Sequence, residues 1–127
     1  GGVKKVKGSD IRHMGVVWKR GQINTAFRRR YFVLHNGILK YFRDQKSFTS
    51  NQRWLGYLSC EGMEVSQNAG KNKEGYVFQL LDARGRTVEC ACETAAERQS
   101  WCVFIESVAR GDHGEIQNLE ILQEEEG

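Results

Sequence analysis

The stretch Trp18-Lys19-Arg20-Gly21-Gln22-Ile23-Asn24-Thr25-Ala26-Phe27-Arg28-Arg29-Arg30-Tyr31-Phe32-Val33-Leu34 decides the fold. Two apolar, strand-like runs, each with basic residues at one end, flank a short polar loop, so a hairpin brings both sets of charge to one end. The period of two along the second run puts Arg28, Arg30, Phe32 and Leu34 on one face, basic for its first half and apolar for its second. Val17 and Lys19 share a face of the first run in the same way. An inner face that changes from charge to hydrocarbon predicts a barrel with a wet, positive mouth and a dry core. Such a mouth suits a polyphosphate. Arg29 falls on the opposite face and Arg20 is a similar outsider, so both read as solvated or peripheral charges.

The charge distribution supports that reading. The chain has 127 residues and a net charge of only +3. Between Gly15 and Arg53, however, nine bases stand against Asp44 alone, a local charge of +8, whereas six bases and eight acids occupy Trp54 to Arg110. A segment so one-sided repels itself unless an anion relieves it. A polyanionic partner is expected.

Length predicts one domain with loose ends. We place a flexible amino-terminal segment, or a remnant that is not native, at 1–10, the folded unit at 11–111 and an acidic tail or linker at 112–127. There is no unbroken apolar span of membrane-crossing length, and the basic start is not followed by the apolar stretch of a signal peptide. The expectation is a soluble cytoplasmic monomer. Cys60, Cys90, Cys92 and Cys102 match neither a metal knuckle nor a dense disulfide framework and read as reduced, mostly buried thiols.

Punctuation gives the order of elements. Gly15–Arg20, Phe27–Leu34 and Ile38–Arg43 read as three antiparallel strands, the last two joined by Asn36-Gly37, a strong hairpin signal. A polar connection from Gln45 to Arg53 follows. Shorter strands are predicted at Leu55–Cys60 and Met63–Ser66, a loop at Asn68–Gly75, and two alternating strands at Tyr76–Leu81 and Thr87–Cys92 around a turn. Then the period changes. Thr94-Ala95-Ala96-Glu97 is a capping box, and Trp101, Phe104, Ile105 and Val108 recur at helical spacing up to Arg110-Gly111. The fold class is mainly β: seven antiparallel strands in a strongly bent sheet or barrel, or two near-orthogonal sheets, capped by one carboxy-terminal helix.

From Ile11 to Arg110 the chain resembles the pleckstrin-homology (PH) domains. The resemblance rests on Gly15-x-x-x-Lys19, Arg28-x-Arg30-Tyr31-Phe32-Val33-Leu34, Leu39-x-Tyr41-Phe42 and the helical Trp101. It is similar to the phosphoinositide-binding members, such as those of protein kinase B and the cytohesins, whose pattern of a first-strand Lys followed by basic-x-Arg falls here on Lys19, Arg28 and Arg30. The resemblance implies Tyr41 as a hydroxyl donor to a ring phosphate, with Arg43 or Lys46 contributing from the third strand or the loop after it. Arg's planar fork holds two phosphate oxygens where Lys offers a point charge, so an inositol headgroup fits this set. Arg84 and Arg86 in the late turn read either as a solvated turn or as secondary candidates at the same mouth, beside Arg20. Ile23, at the loop tip, reads equally as a residue that dips into a bilayer or one that folds back on the barrel. No base follows Arg20 in this loop, unlike the tightest trisphosphate binders, which argues against strong discrimination among phosphoinositides.

Other chemistries find little footing. His13, His35 and His113 lack convergent carboxylates or thiols, so neither a metal site nor His-based catalysis is expected. No enzyme and no cofactor are expected. Tyr31, Phe32, Tyr41 and Phe42 sit at strand positions that core packing explains, which argues against nucleic acid. The leading expectation is a module that binds phosphoinositide lipids or soluble inositol polyphosphates at an anionic membrane surface and recruits its parent protein. The alternative is a protein-interaction or autoinhibitory module with weak or no lipid specificity.

Overall fold

Strand β1 spans Ile11–Arg20, so it begins four residues before its sequence signal at Gly15. The computed structural model describes residues 11–68 and 70–111, and the readings made for 1–10 and 112–127 fall outside those residues. The strands β2 (Arg28–His35), β3 (Ile38–Phe42), β4 (Gly56–Ser59), β5 (Glu64–Ser66), β7 (Gly75–Leu81) and β8 (Thr87–Cys92) follow, with a two-residue β6 (Lys71–Asn72) inside the expected loop. Helix α2 covers Ala95–Ala109. All pairings are antiparallel, and one continuous sheet runs β4-β3-β2-β1-β8-β7-β5, with β6 paired to β7. Of the two arrangements anticipated, a single bent sheet is the one formed. β1 carries the bend, pairing with β2 over most of its length and with β8 only through Trp18, Lys19 and Arg20.

The local chemistry accounts for the ends of these elements. Asn36 and Gly37 both take positive φ, 50° and 76°, as a two-residue turn matched to strand twist requires. Thr94 caps α2 by accepting from the Glu97 amide at 3.1 Å. The stretch read as a plain polar connection contains a short helix, α1 (Gln45–Thr49), capped by Asp44, whose carboxylate accepts from the Ser47 amide at 2.7 Å and hydroxyl at 2.8 Å. Its Phe48 stacks on Tyr31 and meets Phe42 edge-on. That lid explains why Tyr31, Val33 and Phe42 are buried although they point away from the main core.

The main core gathers inside the curve of the sheet. Val17, Phe32, Leu34, Leu39, Phe78 and Leu80 meet Trp101, Ile105 and Val108 of α2. Trp101 is 1% exposed, with its ring edge-on to Phe32 and to His13. The four cysteines are free and buried. Burial pushes the Cys60, Cys92 and Cys102 thiols up to about 12 and Cys90 well above its usual range, so they behave as small hydrophobes.

Candidate functional site

The β1–β2 ladder sets Lys19 opposite Arg28 and Val17 opposite Arg30, while β3 sets Tyr41 opposite Phe32. Directly paired residues project to the same face of a sheet. Because Val17 and Phe32 are fully buried, that face is the inner one. Lys19, Arg28, Arg30 and Tyr41 therefore share the inner face, at the end of the sheet where β1 stops and β2 starts. The apolar half of the face forms the core and the basic half is left open.

Lys19 is partly buried. Its Nζ lies 4.3 Å from the centroid of the Tyr41 ring. Burial lowers its affinity for a proton, the Cys90 thiol opposite it on β8 acts in the other direction, and the Arg30 guanidinium lowers it further. Among the described residues no carboxylate pairs with Lys19, Arg28 or Arg30. The Arg30 guanidinium donates to the Arg29 carbonyl at 3.0 Å, and Arg28 is exposed. The site is a cluster of three cations held together by backbone register, with no internal counter-charge.

The remaining candidates separate by their partners. Arg20 leaves the cluster, pairing with Glu89 at 2.8 Å and lying over the Phe27 ring. Arg29, opposite Trp18, projects to the outer face. Arg43 is held by the α1 cap, 3.7 Å from the Asp44 carboxylate and 3.4 Å from the Ser47 hydroxyl. Lys46 is exposed on α1 beside the same carboxylate. Arg86 braces the β7–β8 turn at 2.7 Å from Asp82. Burial works against the charged form of Asp82, but Arg86 and the Arg86 and Arg84 amides outweigh it, and the carboxyl stays below its usual range. Among the described residues the Arg84 guanidinium makes no hydrogen bond or ion pair, and Arg84 lines a cleft that Tyr41 also lines. Ile23 is fully exposed, so of its two readings folding back is excluded.

Gly56 escaped the sequence reading. It pairs with Tyr41 across β3–β4, and a Cβ there would run into the Tyr41 hydroxyl and ring carbon. Its signal was available: a glycine inside a strand often marks a close approach. Among the described residues no group of three or more His, Cys, Asp or Glu converges as a metal site, and no helix is long and apolar enough to cross a membrane.

A family model described as the PH domain matches residues 11–110. Human Sesquipedalian-1 is 26% identical over 91 residues, covering 72% of this chain and 35% of its own length, so the chain spans about a third of that relative. Among solved structures, the PH domain of human oxysterol binding protein-related protein 11 superposes with a TM-score of 0.65 at 27% identity, over 78% of this chain and 80% of its own. The carboxy-terminal PH domain of pleckstrin, crystallised with D-myo-Ins(1,2,3,5,6)P5, gives a TM-score of 0.65 at 22% identity, over 78% and 95% of the two chains.

Proposed function

The chain belongs to the PH domain family, and from that premise we propose that it is a phosphoinositide-binding module that recruits its parent protein to membranes, with Lys19, Arg28, Arg30 and Tyr41 as the headgroup site. The observation that carries this reading is the uncompensated inner-face cluster: Lys19 opposite Arg28, Arg30 one pair further in, and Tyr41 beneath Lys19. Cations so placed repel one another until an anion joins them. Adjacent phosphates on an inositol ring supply charge in a geometry that two guanidinium forks and one ammonium can share. The co-crystallised inositol pentakisphosphates of the pleckstrin domain support the ligand class.

The surroundings of the cluster support a location at a membrane. Ile23 stands fully exposed on the loop between β1 and β2, and Arg29 and Arg20 lie just outside the pocket. Each basic group near an anionic surface is worth about 1 kcal/mol. We read Ile23 as the residue that enters the bilayer once the pocket is filled. The peripheral charge of Arg29, which unlike Arg20 has no carboxylate partner among the described residues, helps hold the module at the surface while it searches.

The deciding experiment is vesicle binding across all phosphoinositides at physiological salt, against phosphatidylserine vesicles of equal charge and with soluble inositol polyphosphate as competitor. Saturable binding to phosphoinositide, displaced by the soluble headgroup, is expected. A diffuse basic face, screened over a Debye length of about 8 Å, does not tell the two lipids apart. Equal affinity for phosphatidylserine vesicles refutes the pocket. Tight capture of soluble polyphosphate without vesicle binding moves the function to a free inositol phosphate.

A further inference from the structure

The sheet stays open along one seam, and we propose that this seam is a second binding site, which accepts an extended peptide segment of a partner protein as a strand added to β4. β4 and β5 are the terminal strands of the sheet. A cleft of about 710 Å³ runs beside β4, with Tyr57 and Ser59 on one wall, Glu61, Gly62, Ala83 and Arg84 on the other, and Tyr41 of the proposed headgroup site also among its lining residues. That volume is in the range of ligand-binding clefts.

The main chain of β4 dictates the kind of guest. The Cys60 amide donates to the Gly37 carbonyl at 2.9 Å, which fixes the phase of the β3–β4 ladder. Alternation of bonded and non-bonded pairs then turns Leu58 and Gly56 toward β3 and the amides and carbonyls of Tyr57 and Ser59 toward the cleft. Natural edges are blunted by Lys, Pro, bulges or extreme shortness. β4 is itself short, at four residues, but Gly56-Tyr57-Leu58-Ser59 has no proline and no charge, whereas the opposite edge, β5, begins with Glu64. Leu55 and Tyr57, each 55% exposed, add apolar surface beside this edge. Alternating donors and acceptors beside exposed hydrocarbon are complementary to an extended main chain.

Charge sets the polarity of the guest. Arg84, in the turn at the cationic end of the sheet, makes no side-chain hydrogen bond or ion pair among the described residues. Glu61 is on the same wall and also borders the hollow beside Val108 and Ala109. The segment that fits carries a carboxylate toward Arg84 and small or apolar residues against Leu55 and Tyr57. A second folded copy is a poorer fit, because the 61–62 segment and the β7–β8 turn recess the edge.

The test uses the whole chain, immobilised, and a displayed library of random twelve-residue peptides, followed by anisotropy titration of the enriched peptides. Enriched peptides are expected to be acidic toward one end and free of central proline. Tyr57→Pro removes one outward N–H at an edge position where proline is tolerated. It should weaken peptide binding at least tenfold and leave inositol polyphosphate binding unchanged, which separates this site from the cationic cluster. Arg84→Glu should weaken peptide binding at least threefold. Should Tyr57→Pro fail to fold, amide shifts on peptide addition to the unmodified chain must fall on Tyr57 and Ser59. No enrichment, equal binding by Tyr57→Pro, or shifts elsewhere overturns the proposal. Concentration-dependent self-association abolished by Tyr57→Pro overturns it in favour of a second copy.

Discussion

Lys19 and Tyr41 form a cation–aromatic contact inside the candidate pocket, with Nζ 4.3 Å from the ring centroid. The ring gives a desolvated ammonium its favourable contact where no carboxylate is at hand. Lys19 is therefore held in place before any anion arrives. Tyr41→Leu should loosen it, lowering affinity for a soluble inositol polyphosphate by about 0.5–1 kcal/mol for the contact, plus the hydroxyl's own bond. Tyr41→Phe, which keeps the ring, should lose only the second part. Calorimetric titration of both variants checks this; equal losses would show that the ring does not position Lys19.

Arg28 and Arg30 are expected to matter for binding and little for folding. Both lie at a wet rim without a carboxylate partner among the described residues. Arg28→Ala and Arg30→Ala should each remove on the order of 1.5–3 kcal/mol of headgroup affinity through lost charged hydrogen bonds. Their melting temperatures should match that of the unmodified chain. A double variant that still binds phosphoinositide vesicles as tightly would defeat the proposed site.

Trp101→Ala should act in the opposite way. The ring is 1% exposed and packs against both Phe32 and His13. Its loss leaves a cavity worth about 3–5 kcal/mol of stability. Urea unfolding reads the change directly, and an unmoved midpoint would remove Trp101 from the core.

These two sets of residues were legible in the sequence for the same reason. Period two from Arg28 to Leu34 and the helical spacing from Trp101 to Val108 are dictated by burial, and burial is what both patterns record. The cationic cluster followed because register carries side-chain direction along with it. Partners were harder to read. That Arg20 pairs with Glu89, and Arg86 with Asp82, depends on strand pairing and turn geometry. Helix α1 was hidden by its polar composition, although Asp44-x-x-Ser47 is a capping signal. The seam beside β4 had no sequence signature, since an edge strand is defined by the absence of a neighbour.

His13 predicts a pH dependence. Its ring stacks on Phe104 and stands edge-on to Trp101, and burial lowers its proton affinity more than Glu97 raises it. The unfolded chain thus binds the proton more readily than the folded one, and stability rises with pH through the titration. The contribution is complete above the ordinary histidine value of about 6.5 and shrinks as pH falls toward the lower folded value. Melting temperature should decline between pH 7 and pH 5, and less so in His13→Phe. A separate loss in more acidic solution is expected from Asp82, whose lowered carboxyl stabilises the fold only while ionised.

Gly56 offers a test of the site through a residue that touches no ligand. Its Cβ position is occupied by the Tyr41 hydroxyl, so Gly56→Ala must displace that ring. A side chain can swing away where backbone cannot, and overpacking costs about 1–3 kcal/mol; the fold should survive. Affinity for inositol polyphosphate should then fall toward the Tyr41→Leu value, because Lys19 loses its support and the hydroxyl is misplaced. The two changes act through one ring and should not add: in a Tyr41→Leu background, Gly56→Ala should have almost no further effect on binding. Additive losses in that double-mutant cycle would mean that Gly56 acts on the site by some route other than Tyr41.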